Sequence, residues 1–60
     1  MTAGKYKLIL HNGAKVNAEF IPTNPGHGII GVMKYKILGN EMTTTIYADA
    51  RRNKLIFEKA

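Results

Sequence analysis

The fold of this chain is decided by residues 4–20, which read GKYKLILHNGAKVNAEF. Apolar and polar residues alternate on both sides of HNG, a pattern typical of two β-strands joined by a tight turn. A three-residue loop over residues 11–13 places the apolar residues of both strands on one face and gives Gly13 the positive φ that such a loop requires. Since a one-residue shift would turn every side chain over, we predict this register. Its facing pairs are Leu10 and Ala14, Leu8 and Val16, Tyr6 and Ala18, and Lys5 and Glu19.

Residues 29–58 predict three further strands with the same alternation. The dipeptide Gly39-Asn40 is typical of a two-residue hairpin turn, and a turn centred there pairs Met33 with Ile46. A four-residue loop over residues 50–53 then brings Phe57 opposite Ile46 on the same face. We therefore predict a three-stranded meander in this part of the chain.

Two connections have residues typical of particular turns. Asn53 is predicted to take a left-handed conformation, which asparagine tolerates, in the loop over residues 50–53. The tetrapeptide Asn24-Pro25-Gly26-His27 has proline and glycine where a type II turn prefers them. We expect residues 21–28 to form a mobile connection between the hairpin and the meander.

A helix is the alternative for residues 29–38, because Ile30, Met33 and Ile37 fit a helical spacing. That alternative would give a hairpin–helix–hairpin domain. Gly31 in the interior of the segment and the β-branched residues around it disfavour a helix, so the strand is the interpretation we adopt.

Together these elements predict an all-β fold, a five-stranded antiparallel small barrel of the SH3-like or OB-like kind. In it, a two-stranded hairpin packs on the three-stranded meander. A chain of 60 residues has room for one domain, so we expect residues 1–60 to form a single unit. The predicted core comprises Tyr6, Leu8, Leu10, Val16, Ala18, Phe20, Ile29, Met33, Tyr35, Ile37, Met42, Ile46, Ala48, Leu55 and Phe57.

The composition narrows the classes of function. Nine Lys and Arg residues against four Asp and Glu residues give a formal net charge of +5, which favours acidic partners such as nucleic acid. Cysteine is absent, which excludes disulfides and thiolate metal sites. No apolar run is long enough to span a bilayer or to form the apolar part of a signal peptide. We therefore expect a cytoplasmic protein with no membrane partner.

The sequence offers little for catalysis. Serine and cysteine nucleophiles are absent, and neither His11 nor His27 has an acid at a spacing that would orient it as a base. Two histidines without a third ligand make a weak zinc site. A chain this short also has little room for a substrate pocket beside its core. We expect no enzyme activity, no metal, no cofactor and no small-molecule substrate.

The outer face of the predicted meander carries an apolar stripe surrounded by cations. Val32, Tyr47 and Ile56 align across three strands, on a face that should be polar if it met only water. Such side chains can contact bases or a groove while lysine and arginine bind phosphates. This pattern predicts largely sequence-independent nucleic-acid binding, with DNA favoured over RNA. The candidate site comprises Ile30, Val32, Lys34, Lys36, Tyr47, Arg51, Arg52, Lys54 and Ile56.

A second basic strip lies on the first hairpin, where Lys5, Lys7 and Lys15 surround Ile9. This strip would extend a binding surface or keep the hairpin hydrated.

Gly4-Lys5 and residues 14–22 (AKVNAEFIP) resemble the small SH3-like chromatin proteins of crenarchaea, whose total length is similar. Those proteins bind the DNA minor groove through the outside of a triple-stranded sheet, so the resemblance implies an SH3-like fold and DNA binding. The DNA-contacting tryptophan of that family has no counterpart in this sequence. Tyr47 is the nearest aromatic substitute, and no individual contact is carried over.

A protein-interaction module is the alternative function. Apolar residues on both faces of a sheet are also typical of a face that another subunit covers, and a chain this small gains stability by association. Such a module, a phage-encoded or accessory protein for example, would be a homodimer that uses the same apolar stripe or an edge strand.

Overall fold

Five antiparallel strands form one sheet in the computed structural model, which describes residues 1–60. The strand order across the sheet is β4-β3-β2-β1-β5. A 3-10 helix at Ala50–Arg52 separates the last two strands, and the chain contains no helix with the length and apolarity to cross a membrane. The strands are β1 (Gly4–Ile9), β2 (Lys15–Gly26), β3 (Ile29–Ile37), β4 (Asn40–Tyr47) and β5 (Ile56–Lys59).

The strand pairing observed in the first hairpin confirms the register predicted from the sequence. Leu8 faces Val16, Tyr6 faces Ala18 and Lys5 faces Glu19. The loop closes as expected, because Leu10 N donates to Ala14 O at 2.8 Å and Gly13 takes a φ of 87°.

The expected mobile connection over residues 21–28 is wrong, because most of it belongs to β2. Strand β2 continues to Gly26 and turns at His27-Gly28, where both residues have positive φ. Its pairing with β1 ends at Phe20, so Pro22 and Pro25 lie on an open edge of the strand. Prolines are tolerated there, since no partner strand requires their missing N–H groups.

The predicted turn at Gly39-Asn40 is also wrong: the β3–β4 turn lies at Leu38-Gly39, with φ values of 50° and 81°. This register moves Ile46 from Met33 to Gly31. Gly31 has no side chain, and the Phe20 ring lies over it so closely that an added Cβ would be 2.6 Å from two ring carbons. The register therefore sets Ile46 opposite the glycine that the Phe20 ring covers. It also requires a positive φ at Leu38. The alternative helix over residues 29–38 is excluded, because this segment is β3.

The predicted meander of β3, β4 and the last strand is wrong in its third member. Strand β5 pairs with β1 instead, and Phe57 faces Leu8 rather than Ile46. The edge of β4 is occupied at Tyr47 by the Asn53 side chain, which accepts from Tyr47 N at 2.8 Å and donates to Tyr47 O at 3.1 Å. After this contact, the chain pairs through β5 with the free edge of β1.

The core lies on one face of the sheet. The rings of Phe20 and Phe57 both contact Tyr6 edge to face, with centroid distances of 6.1 and 6.3 Å. Five predicted core residues do not belong to this core. Met42, on the edge strand, is 42% exposed, and Ala48, beyond the end of β4, is also exposed. The other three, which are half-buried, are Leu10, Ile29 and Ile37. The buried residues are Tyr6, Leu8, Ala18, Phe20, Met33 and Ile46, with Val16, Ile30, Tyr35, Leu55 and Phe57 packed partly buried against them.

Candidate nucleic-acid interface

The face of the sheet opposite the core carries most of the predicted site. Val32, Lys34 and Lys36 alternate along β3 with core residues, so all three point away from the core. On β4 they face Thr45, Thr43 and Glu41, in that order. On β2, Val32 faces Ile21 and Lys34 faces Glu19. The predicted register was off by two residues, and an even shift leaves the facing of every side chain unchanged. We call this surface the outer face.

Tyr47 and Arg52 form a stacked pair at one end of the outer face. The guanidinium carbon of Arg52 lies 4.0 Å from the centroid of the Tyr47 ring, a cation–π geometry. Arg52 Nη1 also donates to the carbonyl oxygen of His27 at 3.1 Å, which ties the 3-10 helix to the β2–β3 turn. The cation–π contact and this hydrogen bond together hold the planar guanidinium in one orientation.

Asn53 positions this pair. The sequence predicted a left-handed Asn53, but its φ of −82° and ψ of 128° are extended. Its side-chain amide binds both main-chain polar groups of Tyr47, as an additional strand would. This clamp fixes the short helix against the end of β4, and sequence reasoning missed it because it assigned Asn53 a backbone role only.

Lys54 lies beside the stacked pair. Together with Thr43, Thr44, Thr45, Tyr47 and Arg52, it lines a shallow depression of about 270 Å³ along the edge of β4. Three of the predicted site residues, Tyr47, Arg52 and Lys54, are therefore brought to one place.

Two of the predicted site residues lie elsewhere. The β3–β4 pairing contains a bulge between Ile29 and Gly31, which turns Ile30 onto the core cluster and leaves Ile29 opposite Tyr47. Ile56 lies at the far edge of the sheet, paired with Ile9 and 67% exposed, because β5 does not pair with β4.

The apolar stripe is consequently built from different residues. Ile21 lies directly beside Val32, and Ile29 faces Tyr47 across the β3–β4 pair. All four side chains are half-buried. Sequence reasoning missed Ile21 because it placed residues 21–28 outside the sheet, and it placed Ile29 in the core because it did not foresee the bulge next to it.

Ion pairs divide the cations of the site into two groups. Lys34 Nζ lies 3.1 Å from Glu41 Oε1, and Arg51 Nη2 lies 3.0 Å from Asp49 Oδ2. The remaining cations of the site form no ion pair, and these are Lys36, Arg52 and Lys54.

The Arg51–Asp49 pair also caps the 3-10 helix. Asp49 Oδ1 accepts from the Arg51 main-chain N–H at 3.0 Å and from its side-chain Nε at 3.1 Å. These bonds, the side-chain one first, hold the pKa of Asp49 below its ordinary value of 3.8 and raise the pKa of Arg51 above its own. Arg51 stays charged and is ion-paired with Asp49, although its side chain is 90% exposed.

Only one lysine of the second basic strip, Lys15, forms an ion pair. Lys15 Nζ lies 2.8 Å from Glu58 Oε1, Lys7 donates to Asn17 Oδ1 at 3.1 Å, and Lys5 faces Glu19. An open groove of about 950 Å³ extends from this strip to β3 and β4, and its charged residues are Lys5, Glu19, Lys34, Lys36 and Glu41. With acids among its lysines, this groove attracts anions less than the end with Arg52 and Lys54.

The histidines and acids of the chain are dispersed over the fold. No three His, Cys, Asp or Glu residues are grouped as metal ligands. His11 is exposed in the β1–β2 loop, and His27 contributes its main-chain carbonyl to Arg52.

Comparison with known proteins adds no functional assignment. No protein-family model matches the chain, and the searches of curated proteins and of solved structures each found no match.

Proposed function

We propose that this protein is a non-catalytic nucleic-acid-binding protein, that it binds largely independently of sequence, and that DNA is its preferred target. The outer face of β3 and β4, from Lys36 to Arg52, is the binding surface. The observation that carries the proposal is the Tyr47–Arg52 stack, with its guanidinium 4.0 Å above the ring and with Lys54 lining the same depression.

Arg52 is the stacking platform in this proposal, and Tyr47 is its support. The guanidinium covers one face of the Tyr47 ring, so a base that approaches from that side meets the plane of Arg52 first. Bases stack on arginine planes as they do on aromatic rings. Such contact is worth about 1 to 3 kcal/mol per base and tolerates any sequence, because every base has a π-face.

The cations without acidic partners bind phosphates. Lys36 and Lys54, together with the charge of Arg52, neutralise three phosphates, whereas Lys34 and Arg51 first have to exchange Glu41 and Asp49 for the ligand. The half-buried side chains of Val32 and Ile21 provide an apolar surface between these charges, against which a groove or an unstacked base packs.

We further propose that the sheet curls into a small, partly open barrel of the SH3-like or OB-like kind. The two edge strands support this shape, because Ile46 of β4 and Phe57 of β5 belong to the same core cluster although three strands separate them. Such a curved sheet makes the outer face convex and leaves it free for a ligand.

The test is a binding titration across salt concentrations with single-stranded and double-stranded DNA. Neutralising three phosphates predicts a slope of log affinity against log salt of about −2.7 on duplex DNA and about −2.1 on single strands. Tyr47→Ala should weaken binding, since it removes the support of Arg52, while Tyr47→Phe should bind as the parent does. Undetectable binding at low salt, a flat slope, or an unimpaired Tyr47→Ala protein would contradict the proposal.

A further inference from the structure

Strand β4 is an edge strand without the usual protection. Its residues Asn40–Tyr47 (NEMTTTIY) include no lysine, proline or arginine and only one charged residue, Glu41, and the bulge of this pair lies on β3 instead. Natural sheets protect exposed edges with such residues, because an open row of N–H and C=O groups recruits another strand. The other open edges of this sheet do carry them: β5 has Lys59, and the outer half of β2 has Pro22 and Pro25.

The free hydrogen-bonding groups of this edge belong to three residues. In a hairpin with a two-residue turn, the residues that flank the turn bond to each other, and bonded positions then alternate along the strand. Asn40 flanks the turn, so Asn40, Met42, Thr44 and Ile46 bond to β3, and the odd-numbered residues face the edge. Tyr47 is already bound by Asn53. Glu41, Thr43 and Thr45 remain.

We infer that β4 pairs with β4 of a second copy of this chain, antiparallel, with Thr43 opposite Thr43 on the two-fold axis. In this register Glu41 faces Thr45 of the second copy, so all three residues with free groups exchange hydrogen bonds. Pairing ends on each side where Asn53 occupies Tyr47. A register shifted by two residues towards Tyr47 would set Glu41 against that occupied position and would lose bonds.

Charge complementarity identifies the occupant as a second copy. Arg52 and Lys54 flank Thr45 in the depression along the β4 edge, and neither forms an ion pair within the chain. A strand that pairs here needs an acid opposite Thr45, and in this register Glu41 of the second copy lies there, exchanging its own Lys34 for Arg52 or Lys54. The same pair recurs on the other side of the axis, as an isologous interface requires. On the core face, the exposed Met42 gains Thr44 of the second copy as its neighbour.

Two lysine substitutions of equal charge distinguish this interface from others. Thr43→Lys places two like charges directly opposite each other on the axis, whereas Thr45→Lys places a lysine opposite Glu41 of the second copy. Both side chains are exposed on the outer face, so both variants should fold, which circular dichroism checks. Sedimentation velocity from micromolar to millimolar protein, without nucleic acid, gives the dimer dissociation constant. Thr43→Lys should raise this dissociation constant about fivefold or more, and Thr45→Lys should leave the constant unchanged or lower it.

Amide hydrogen exchange supplies a second readout. The Thr43 and Thr45 amides should become more protected as protein concentration rises, while the Tyr47 amide, already bound by Asn53, should not change. A monomer at millimolar concentration overturns the inference. So does a dimer that both lysine substitutions weaken equally, or one that only Ile56→Lys dissociates. Because no nucleic acid is present, these measurements report association alone. The DNA titration is run below the dimer dissociation constant, where Arg52 and Lys54 are free for phosphates, so the two proposals fail independently.

Discussion

The side-chain amide of Asn53 binds both main-chain hydrogen-bonding groups of Tyr47, at 2.8 and 3.1 Å, and so takes the place of a neighbouring strand for one residue. This contact holds the 3-10 helix against the end of β4. It also sets the length of the β4 edge that remains free.

Asn53→Ala should destabilise the protein by about 1 to 3 kcal/mol, because it leaves a part-buried donor and acceptor of Tyr47 without partners. Urea unfolding measures the change. Asn12→Ala is the matched control, since Asn12 accepts one exposed bond from Ala14 N, and it should cost less than about 1 kcal/mol. Equal losses for the two variants would contradict the clamp.

Arg52→Lys should weaken nucleic-acid binding without changing its salt slope, because lysine keeps the charge and lacks the stacking plane. Arg51→Lys should have a much smaller effect on binding, since Arg51 is paired with Asp49 and does not contact Tyr47. Fluorescence anisotropy titrations with a DNA probe compare the two variants. Equal losses of affinity would assign Arg52 a purely electrostatic role.

Gly31→Ala should destabilise the protein by about 3 kcal/mol, near the upper end for overpacked cores. The added Cβ would lie 2.5 Å from the main-chain oxygen of Ile21 and 2.6 Å from the Phe20 ring, which is 2% exposed and cannot move away. Val32→Ala, at the adjacent half-buried position, is the control and should cost about 1 kcal/mol. Thermal or urea denaturation measures both; a smaller loss for Gly31→Ala than for the control would show that the close approach is absent.

Leu38→Asn should stabilise the protein by about 1 kcal/mol, because Leu38 has a φ of 50° and its side chain is 97% exposed. Asparagine tolerates this conformation, and Asn-Gly is the preferred pair for such a turn. Urea unfolding measures the gain. Main-chain NOEs across the two strands should link Met33 to Thr44 in the parent and in the variant. Main-chain NOEs that link Met33 to Ile46 would indicate the turn at Gly39-Asn40 instead.

The Asp49 carboxyl should titrate below 3.8 in the folded protein, because bonds from Arg51 stabilise its charged form. Since the folded pKa lies below the unfolded one, this contribution to stability is complete above the unfolded value and is lost as pH falls through the folded value. NMR titration of the carboxyl carbon measures the midpoint. Arg51→Gln should return it towards 3.8, and Arg52→Gln should move it less; the reverse order would contradict this assignment.

The first hairpin could be predicted from sequence because its register has one solution. Only the three-residue loop puts Leu8 and Val16 on the same face, and it also places glycine where φ is 87°. The outward positions of Val32, Lys34 and Lys36 could be predicted for a weaker reason. A register error of two residues does not change which face a side chain points to.

The rest depended on contacts that local patterns do not contain. Phe57 finds an apolar partner whether β5 pairs with β4 or with β1, so alternation alone does not choose between Ile46 and Leu8. The structure sets Phe57 opposite Leu8, while the Asn53 side chain takes the Tyr47 position of the β4 edge. The exchange of Ile29 for Ile30 on the outer face follows from one bulge, which periodicity does not reveal.

The pairing of β5 with β1 also shapes how the chain can fold. Leu8 and Phe57 are neighbours in the sheet although about 50 positions separate them along the chain, so this ladder closes the longest loop in the molecule. Such non-local pairing slows folding relative to the hairpins, which form from adjacent segments. During synthesis on the ribosome, β1 therefore keeps an open edge, with Tyr6 lacking its Phe57 neighbour, until β5 emerges.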